Sequence, residues 1–473
     1  MPARPIPPRP ILHSVDLDGG ALLALHASRP ERYPALFESA AAGRPLGRYD
    51  ILFAHPQERL TLHASGSLTG PASVGSQGRF LQALETWRAA ACAARVGDAD
   101  VALDADLPFT GGWLLYLGYE LAGQIEPRLR LPQPRRGPVA QAVRVPAAVI
   151  REHESGRSWI VAESGEQELV ASIAADIAAT QAQNAPSEWS SPLLLDGAIE
   201  EDAPGRYLQA VERALDHIRA GDVYQANLSR EWRARLRPGV EPWRVYERLR
   251  RTNPGPFSGI AALGDFLVLS SSPERLVEVR DRRVATRPIA GTRPRGSDLE
   301  TDRSLARELY GHPKERAEHV MLIDLERNDL GRVCQPGSVR VDEFMTIESY
   351  AHVHHIVSNV SGVLRPEATT ADVLAAVFPG GTITGCPKVR CMEIIAELEG
   401  RARGAYTGSL GYLNLDGGLD MNILIRSIEI CGCDLSLRAG AGVVADSDPQ
   451  RELAETRAKA RGVLQALGAG ALA

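Results

Sequence analysis

Four glutamates and a lysine stand at helical spacing in two separate stretches of the chain. Glu315 and Glu318 are three residues apart, and Glu452, Glu455 and Lys459 are three and four apart, so each set shares one face if its stretch is helical. Two carboxylate pairs on different helices can converge on a hard divalent cation such as Mg²⁺, which takes oxygen ligands, uses only one or two protein carboxylates and completes its octahedron with water and substrate oxygens. The same spacing also suits a solvated helix surface. Arg426, in the segment MNILIRS, alternates with Asn422 and Leu424 and would share a strand face with them. In Gly440-Ala441-Gly442 the glycines remove side chains that would keep an anion from the backbone N–H groups, although a bare run of this kind also marks an ordinary turn. Cys431-Gly-Cys433 falls at an expected hairpin turn and lacks a second Cys or His pair to complete a metal site.

The elements that must carry these residues follow from periodicity and punctuation. Pro313 and Pro449 stand where a first helical turn tolerates proline, so one long helix is expected after Gly311-His312-Pro313 and another closing the chain. Tyr207, Val211, Leu215 and Ile218 repeat at helical spacing, with Gly221 at the expected C-cap. A strand over 223–230 would put Gln225 and Asn227 on one face and Tyr224, Ala226 and Leu228 on the other. Further on, strands over 405–415, 421–430 and 434–445 are separated by turns at Asp416-Gly417-Gly418 and near Gly432, which is antiparallel connectivity. The fold class is therefore α+β, with large antiparallel β-sheets and flanking helices. The polar, proline-containing stretch 181–202 reads as a connection between an N-terminal lobe, 1–185, and a second domain, 200–470.

Composition excludes several classes. With 44% apolar and 24% charged residues in 473, the chain has the make-up of a globular protein with an extensive core. A net charge of -6 without basic runs argues against nucleic acid or an anionic membrane as partner, so an anionic substrate must be held by a locally positive site or a metal. The start, MPARPIPPRP, lacks the apolar core of a signal peptide, and six scattered cysteines form no disulfide framework; a cytoplasmic location is expected.

Five segments occur in a characteristic order: 288–296 (PIAGTRPRG), 317–329 (AEHVMLIDLERND), 378–393 (FPGGTITGCPKVRCME), 404–412 (GAYTGSLGY) and 440–446 (GAGVVAD). Together they resemble the chorismate-utilising enzymes, a family of anthranilate, aminodeoxychorismate, isochorismate and salicylate synthases, over about residues 200 to 465. The resemblance implies an anthranilate synthase component I-like fold and Mg²⁺ as cofactor, with Glu318 and Glu455 next to the metal and Glu315 and Glu452 acting through water. It also implies that Arg426, Lys459 and the backbone of Gly440, Ala441 and Gly442 hold the carboxylates of chorismate, a dianion. Glu274, in SSSPERL, matches the general acid that protonates the departing C4 hydroxyl, a role that requires a raised pKa. His355 matches the histidine near the C4 oxygen, with His352 and His354 as close neighbours in sequence. Thr382, Tyr406, Gly291 and Thr292 complete the implied contacts.

The nucleophile follows from Gln225. Water-using members of the family carry a lysine base at this position, and an amide cannot act as that base, so ammonia is the expected nucleophile. No cysteine stands in the G-x-C-x-G context of a glutaminase nucleophile, which implies a separate glutamine amidotransferase subunit. Segments 47–56 (GRYDILFAHP), 107–121 (LPFTGGWLLYLGYEL) and 253–259 (NPGPFSG) resemble aminodeoxychorismate synthases, whose product is 4-amino-4-deoxychorismate on the route to 4-aminobenzoate and folate. Against them stands Ala290. Many aminodeoxychorismate synthases carry a nucleophilic lysine there, and PIAGT is the usual spelling in anthranilate synthases, whose first lobe residues 1–185 also resemble. Ser39, in LFES, together with Pro256, Phe257 and Ser258, suits a bound tryptophan, structural or regulatory, and equally suits a turn between strands.

Overall fold

Short apolar stretches that cannot bury a face alone pair here into two large sheets. A computed structural model describes residues 9–40, 47–74, 78–93, 106–182, 193–296, 298–350 and 353–468. Among them one sheet has 12 strands and the other 11, and every strand pair is antiparallel. Helices cover the outer faces, giving the expected α+β architecture.

Both sheets draw strands from both halves of the chain. In the larger sheet Ala35–Glu38 pairs with Phe257–Ala262, Glu38 lying opposite Ser258. In the smaller one Gly112–Leu117 pairs with Ser409–Asn414. Residues 183–192 of the connecting stretch lie outside the described residues. Between the sheets pack Phe53, Phe109, Leu114, Tyr116, Val268 and Leu424, while Ile428, Ile430, Leu435 and Leu437 face outward against helices. Each such side chain, fully buried, contributes about 1.5–3 kcal/mol.

The two helices expected from their prolines run Pro313–Gly331 and Pro449–Ala466. Each start is capped: the His312 ring accepts from the Glu315 N–H at 3.4 Å and the Asp448 carboxylate from the Arg451 N–H at 2.9 Å. The helix Pro204–Arg219 ends on Ala220 as C-cap, one residue earlier than expected, and Gly221 follows in the left-handed region at φ 80°. The strand expected over 223–230 runs Gln225–Arg235 and leaves Tyr224 exposed before it. It pairs with Asp434–Val443, Asn227 opposite Gly442 and Ser229 opposite Gly440.

One expected strand is not continuous. The stretch 421–430 divides into the end of Leu419–Asn422, in the smaller sheet, and Ser427–Cys431, in the larger. Residues 423–426 cross between the sheets, and Arg426 turns the corner at φ 51°. Arg426 therefore shares no strand face with Asn422 and Leu424; its direction is set by the crossing. No helix among the described residues is long and apolar enough to span a membrane, and all six cysteines are free.

Candidate active site

Two crossings between the sheets run side by side and carry the acid and a cation. One leads from Phe266–Ser272 into Arg275–Arg280 and holds Glu274; the other is 423–426 and holds Arg426. They are stitched together: the Ile423 N–H donates to the Glu274 carbonyl at 3.0 Å, and the hydroxyls of Ser272 and Ser271 donate to the carbonyls of Ile423 and Arg426 at 2.5 and 3.1 Å. Glu274 is only 5% exposed and its carboxylate accepts from the Thr382 hydroxyl at 2.7 Å. Burial outweighs that bond and the nearby Lys459 and Arg426 charges, pushing its pKa up to about 7. Burial likewise pulls Arg426 below its usual range, with the Glu274 charge opposing.

His355 lies on the strand Val353–Val363, buried, with Nδ1 2.9 Å from the Thr292 hydroxyl. Its Nε2 is buried without a partner, and burial with the Arg426 charge pulls its pKa down to about 3, so the ring is neutral at physiological pH. Of its neighbours, His354 is tied to Ser349 at 2.7 Å and Asp302 at 2.9 Å, and His352 lies outside the described residues. Thr292 reaches His355 through a bulge. The pairing register slips between Ala290 and Thr292, and Gly291 takes up the extra residue at φ 69°. A Cβ on Gly291 would sit 2.9 Å from the Glu315 carboxylate, so this glycine also permits the close approach of the first acidic helix.

The four helix glutamates differ in environment. Glu318 is part-buried and accepts from the Gln225 side-chain amide at 3.0 Å. Burial raises its pKa, with further raising by Glu315 and Glu455 and opposition from Gln225 and Lys459, so the two helices are close enough for their carboxylates to act on one another. Arg293 reaches Glu315 at 3.3 Å, Lys459 pairs with Glu455 at 2.7 Å, and Glu452 is buried. Among the described residues no group of three or more His, Cys, Asp or Glu side chains is gathered for a metal.

Gly440 and Gly442 lie on the strand beside Gln225–Arg235 and clear its inner face. A Cβ on Gly442 would fall 2.2 Å from the Gln225 amide nitrogen, and one on Gly440 2.6 Å from the Tyr406 hydroxyl and 2.9 Å from the Asn227 amide oxygen. Ala441, opposite Leu228, is fully buried. The strand Ser427–Cys431 pairs with this one only from Asp434 to Leu437, so beyond Leu437 the outer edge of 438–443 has no strand partner among the described residues.

Several other residues resolve differently. Ala290 is buried, and Lys388, the nearest motif lysine, is bound to Asp329 at 2.6 Å and to the Val377 carbonyl at 3.3 Å. At the segment considered for tryptophan, the Ser39 N–H donates to Asp50 at 3.1 Å while its hydroxyl is buried without a partner. Pro256 is buried, the Phe257 ring lies 5.2 Å from the Arg275 guanidinium, and the Ser258 hydroxyl bonds Gly255. Sequence reasoning missed Arg403. It is 2% exposed and ties the Asn227 carbonyl at 2.6 Å, Glu399 at 2.6 Å and Thr407 at 3.3 Å, with its guanidinium 5.5 Å from the Tyr406 ring. In RARG it reads as one more surface arginine; only its place in the tertiary structure marks it.

Residues 34–465 match the family described as chorismate binding enzyme. Anthranilate synthase component 1 of Synechocystis is 37% identical over 469 residues, covering 92% of this chain and 91% of that protein. Aminodeoxychorismate synthase component 1 of Bacillus subtilis is 51% identical over 261 residues, 55% of this chain and 56% of that one. The crystal structure of anthranilate synthase component I from Streptococcus pneumoniae superposes with a TM-score of 0.77 at 31% identity, covering 89% of this chain and 93% of that one.

Proposed function

Because the chain belongs to the chorismate-binding enzymes, we propose that it aminates chorismate with ammonia to give 4-amino-4-deoxychorismate. The observation that carries the reading is Gln225, which occupies the nucleophile's position as an amide bonded to Glu318 and supplies no base for water. Ammonia needs none. In the net reaction a C–N bond forms at C4, the C4–O bond breaks, and the hydroxyl leaves as water with the proton of Glu274. That carboxyl holds a proton at physiological pH because burial raises it, and the neutral His355 faces the departing oxygen as a hydrogen-bond partner. Arg426, Lys459 and the open edge at Gly440, Ala441 and Gly442 hold the substrate carboxylates, with Thr382, Tyr406, Gly291 and Thr292 shaping the site.

The hard oxygen donors Glu318 and Glu455, with Glu315 and Glu452 through water, fit Mg²⁺, since carboxylates that raise one another's pKa are stabilised by a shared cation. Bound there, the ion neutralises charge on chorismate and orients the ring. The ammonia comes from a separate glutamine amidotransferase subunit. The purified chain is expected to aminate chorismate with ammonium salts but not with glutamine, and to gain glutamine-dependent activity only when a glutaminase subunit is added. Glutamine turnover by the chain alone contradicts the reading. Ser39, Pro256, Phe257 and Ser258 are proposed to hold tryptophan.

A second reading, anthranilate formation, is favoured by Ala290 and by the relatives that carry that name. The product decides. With chorismate, Mg²⁺ and ammonium at mildly alkaline pH, 4-aminobenzoate is expected only after the lyase that converts aminodeoxychorismate is added; fluorescent 2-aminobenzoate without the lyase selects the second reading. With Ala290 offering no nucleophile and Lys388 held by Asp329, ammonia adds directly to the ring. Intact-mass analysis after rapid acid quench should find no chorismate adduct on the chain and one on Ala290→Lys. An adduct on the unmodified chain rules out direct addition.

A further inference from the structure

Two amide oxygens on the inner face of the strand Gln225–Arg235 are buried and have no hydrogen-bond partner: Gln225 Oε1 and Asn227 Oδ1, on residues 3% and 8% exposed. Unsatisfied buried acceptors are costly, and a pair of them on one strand face calls for a donor that binds there. Their orientation is fixed. The Gln225 amide nitrogen donates to Glu318 at 3.0 Å, which leaves its oxygen as the free end. The Asn227 backbone is held on both sides, its N–H donating to the Thr384 carbonyl at 3.0 Å and its carbonyl accepting from Arg403 at 2.6 Å. Opposite them stand Gly440 and Gly442, where a side chain would collide with the Asn227 oxygen at 2.9 Å and the Gln225 nitrogen at 2.2 Å. The strand pair thus holds two acceptors facing space that glycine keeps clear.

We propose that Gln225 Oε1 and Asn227 Oδ1 form the subsite for the nitrogen nucleophile, accepting two N–H bonds of ammonia and leaving its lone pair free to meet the ring. The inference rests on the ammonia reading above and adds Asn227 as a binding residue. Ammonia carries three donors and one lone pair, so two acceptors orient it without consuming the pair. Water held by the same two oxygens would donate both its hydrogens and still need a base, which neither amide is.

The test is steady-state amination by the purified chain with Mg²⁺, varying ammonium chloride and chorismate independently. Asn227→Leu, close in volume, and Asn227→Ala, which cannot overpack the strand, should each raise KM for ammonium roughly tenfold, the loss of one hydrogen bond. KM for chorismate should stay within about twofold, because the lost acceptor faces the nucleophile. Asn227→Asp, which keeps an oxygen in place, should restore KM for ammonium to within about threefold of the unmodified chain. An unchanged KM for ammonium in the Leu and Ala variants, or an equal rise for both substrates, overturns the subsite while the amination reading stands. No aminated product from the unmodified chain overturns both.

Discussion

Glu318→Gln and Glu455→Gln are each expected to lower amination of chorismate by at least about a thousandfold, since a bound cation supplies several kcal/mol of charge stabilisation and each 1.4 kcal/mol is tenfold. The substitution removes a charge without changing volume. In Glu318→Gln the new amide keeps an oxygen to accept from Gln225, so the contact at 3.0 Å can persist. Glu455 pairs with Lys459 at 2.7 Å, but the two side chains are 48% and 43% exposed, and such a pair stabilises by roughly 0–1 kcal/mol. Neither variant should therefore melt more than about 3 °C below the unmodified chain. Adding Mg²⁺ should raise the melting temperature of the unmodified chain and leave that of the variants in place, because only a state that binds the ion is stabilised by it. Normal turnover by either variant at ordinary Mg²⁺ removes these residues from the metal assignment.

How much of this was legible in the sequence depends on the range of the interactions involved. The helices at Pro313 and Pro449 were legible because their starts are encoded within four residues by proline and a capping side chain. The inner face of Gln225 and Asn227 was legible because a strand alternates with period two. The crossing at 423–426 was not, since Met421 to Ile430 is a nearly unbroken apolar run and the residue that turns the corner at φ 51° is Arg426, not a glycine. Nor was the sharing of both sheets, which depends on partners such as Glu38 and Ser258 that lie far apart in the chain. The pairing of Thr292 with His355 required a bulge at Gly291. Glycine in PIAGT signalled unusual backbone, but not that the slip would aim a hydroxyl at a ring nitrogen. The four glutamates were found from spacing and resemblance together; their mutual electrostatic effect came only from the packing of two helices remote in sequence.

Glu274→Gln should separate function from stability in opposite directions. As an amide the residue still accepts from Thr382, now bonded at 2.7 Å, but cannot protonate the leaving hydroxyl, and the loss of a general acid lowers kcat by about 10² to 10⁴. In the unmodified chain the acid works only while protonated. With its pKa pushed up to about 7, kcat/KM at a fixed concentration of free ammonia should be level below that pH and fall toward tenfold per pH unit above it. The descent should be absent from the residual activity of the variant. Stability runs the other way. A carboxyl whose folded pKa lies above its unfolded value of about 4.5 favours the folded state below pH 4.5, and that contribution is lost as pH rises toward 7, because the unfolded chain ionises first. Glutamine carries no such loss. Relative to the unmodified chain, the variant should therefore gain stability between pH 4.5 and 7, by on the order of 3 kcal/mol when the full shift is counted, and hold that gain at higher pH. Denaturant melts at pH 4.5 and 8 measure the difference. A variant that gains nothing between the two would mean that Glu274 is ionised in the folded chain at neutral pH, and a proton donor for the C4 hydroxyl would have to be sought elsewhere.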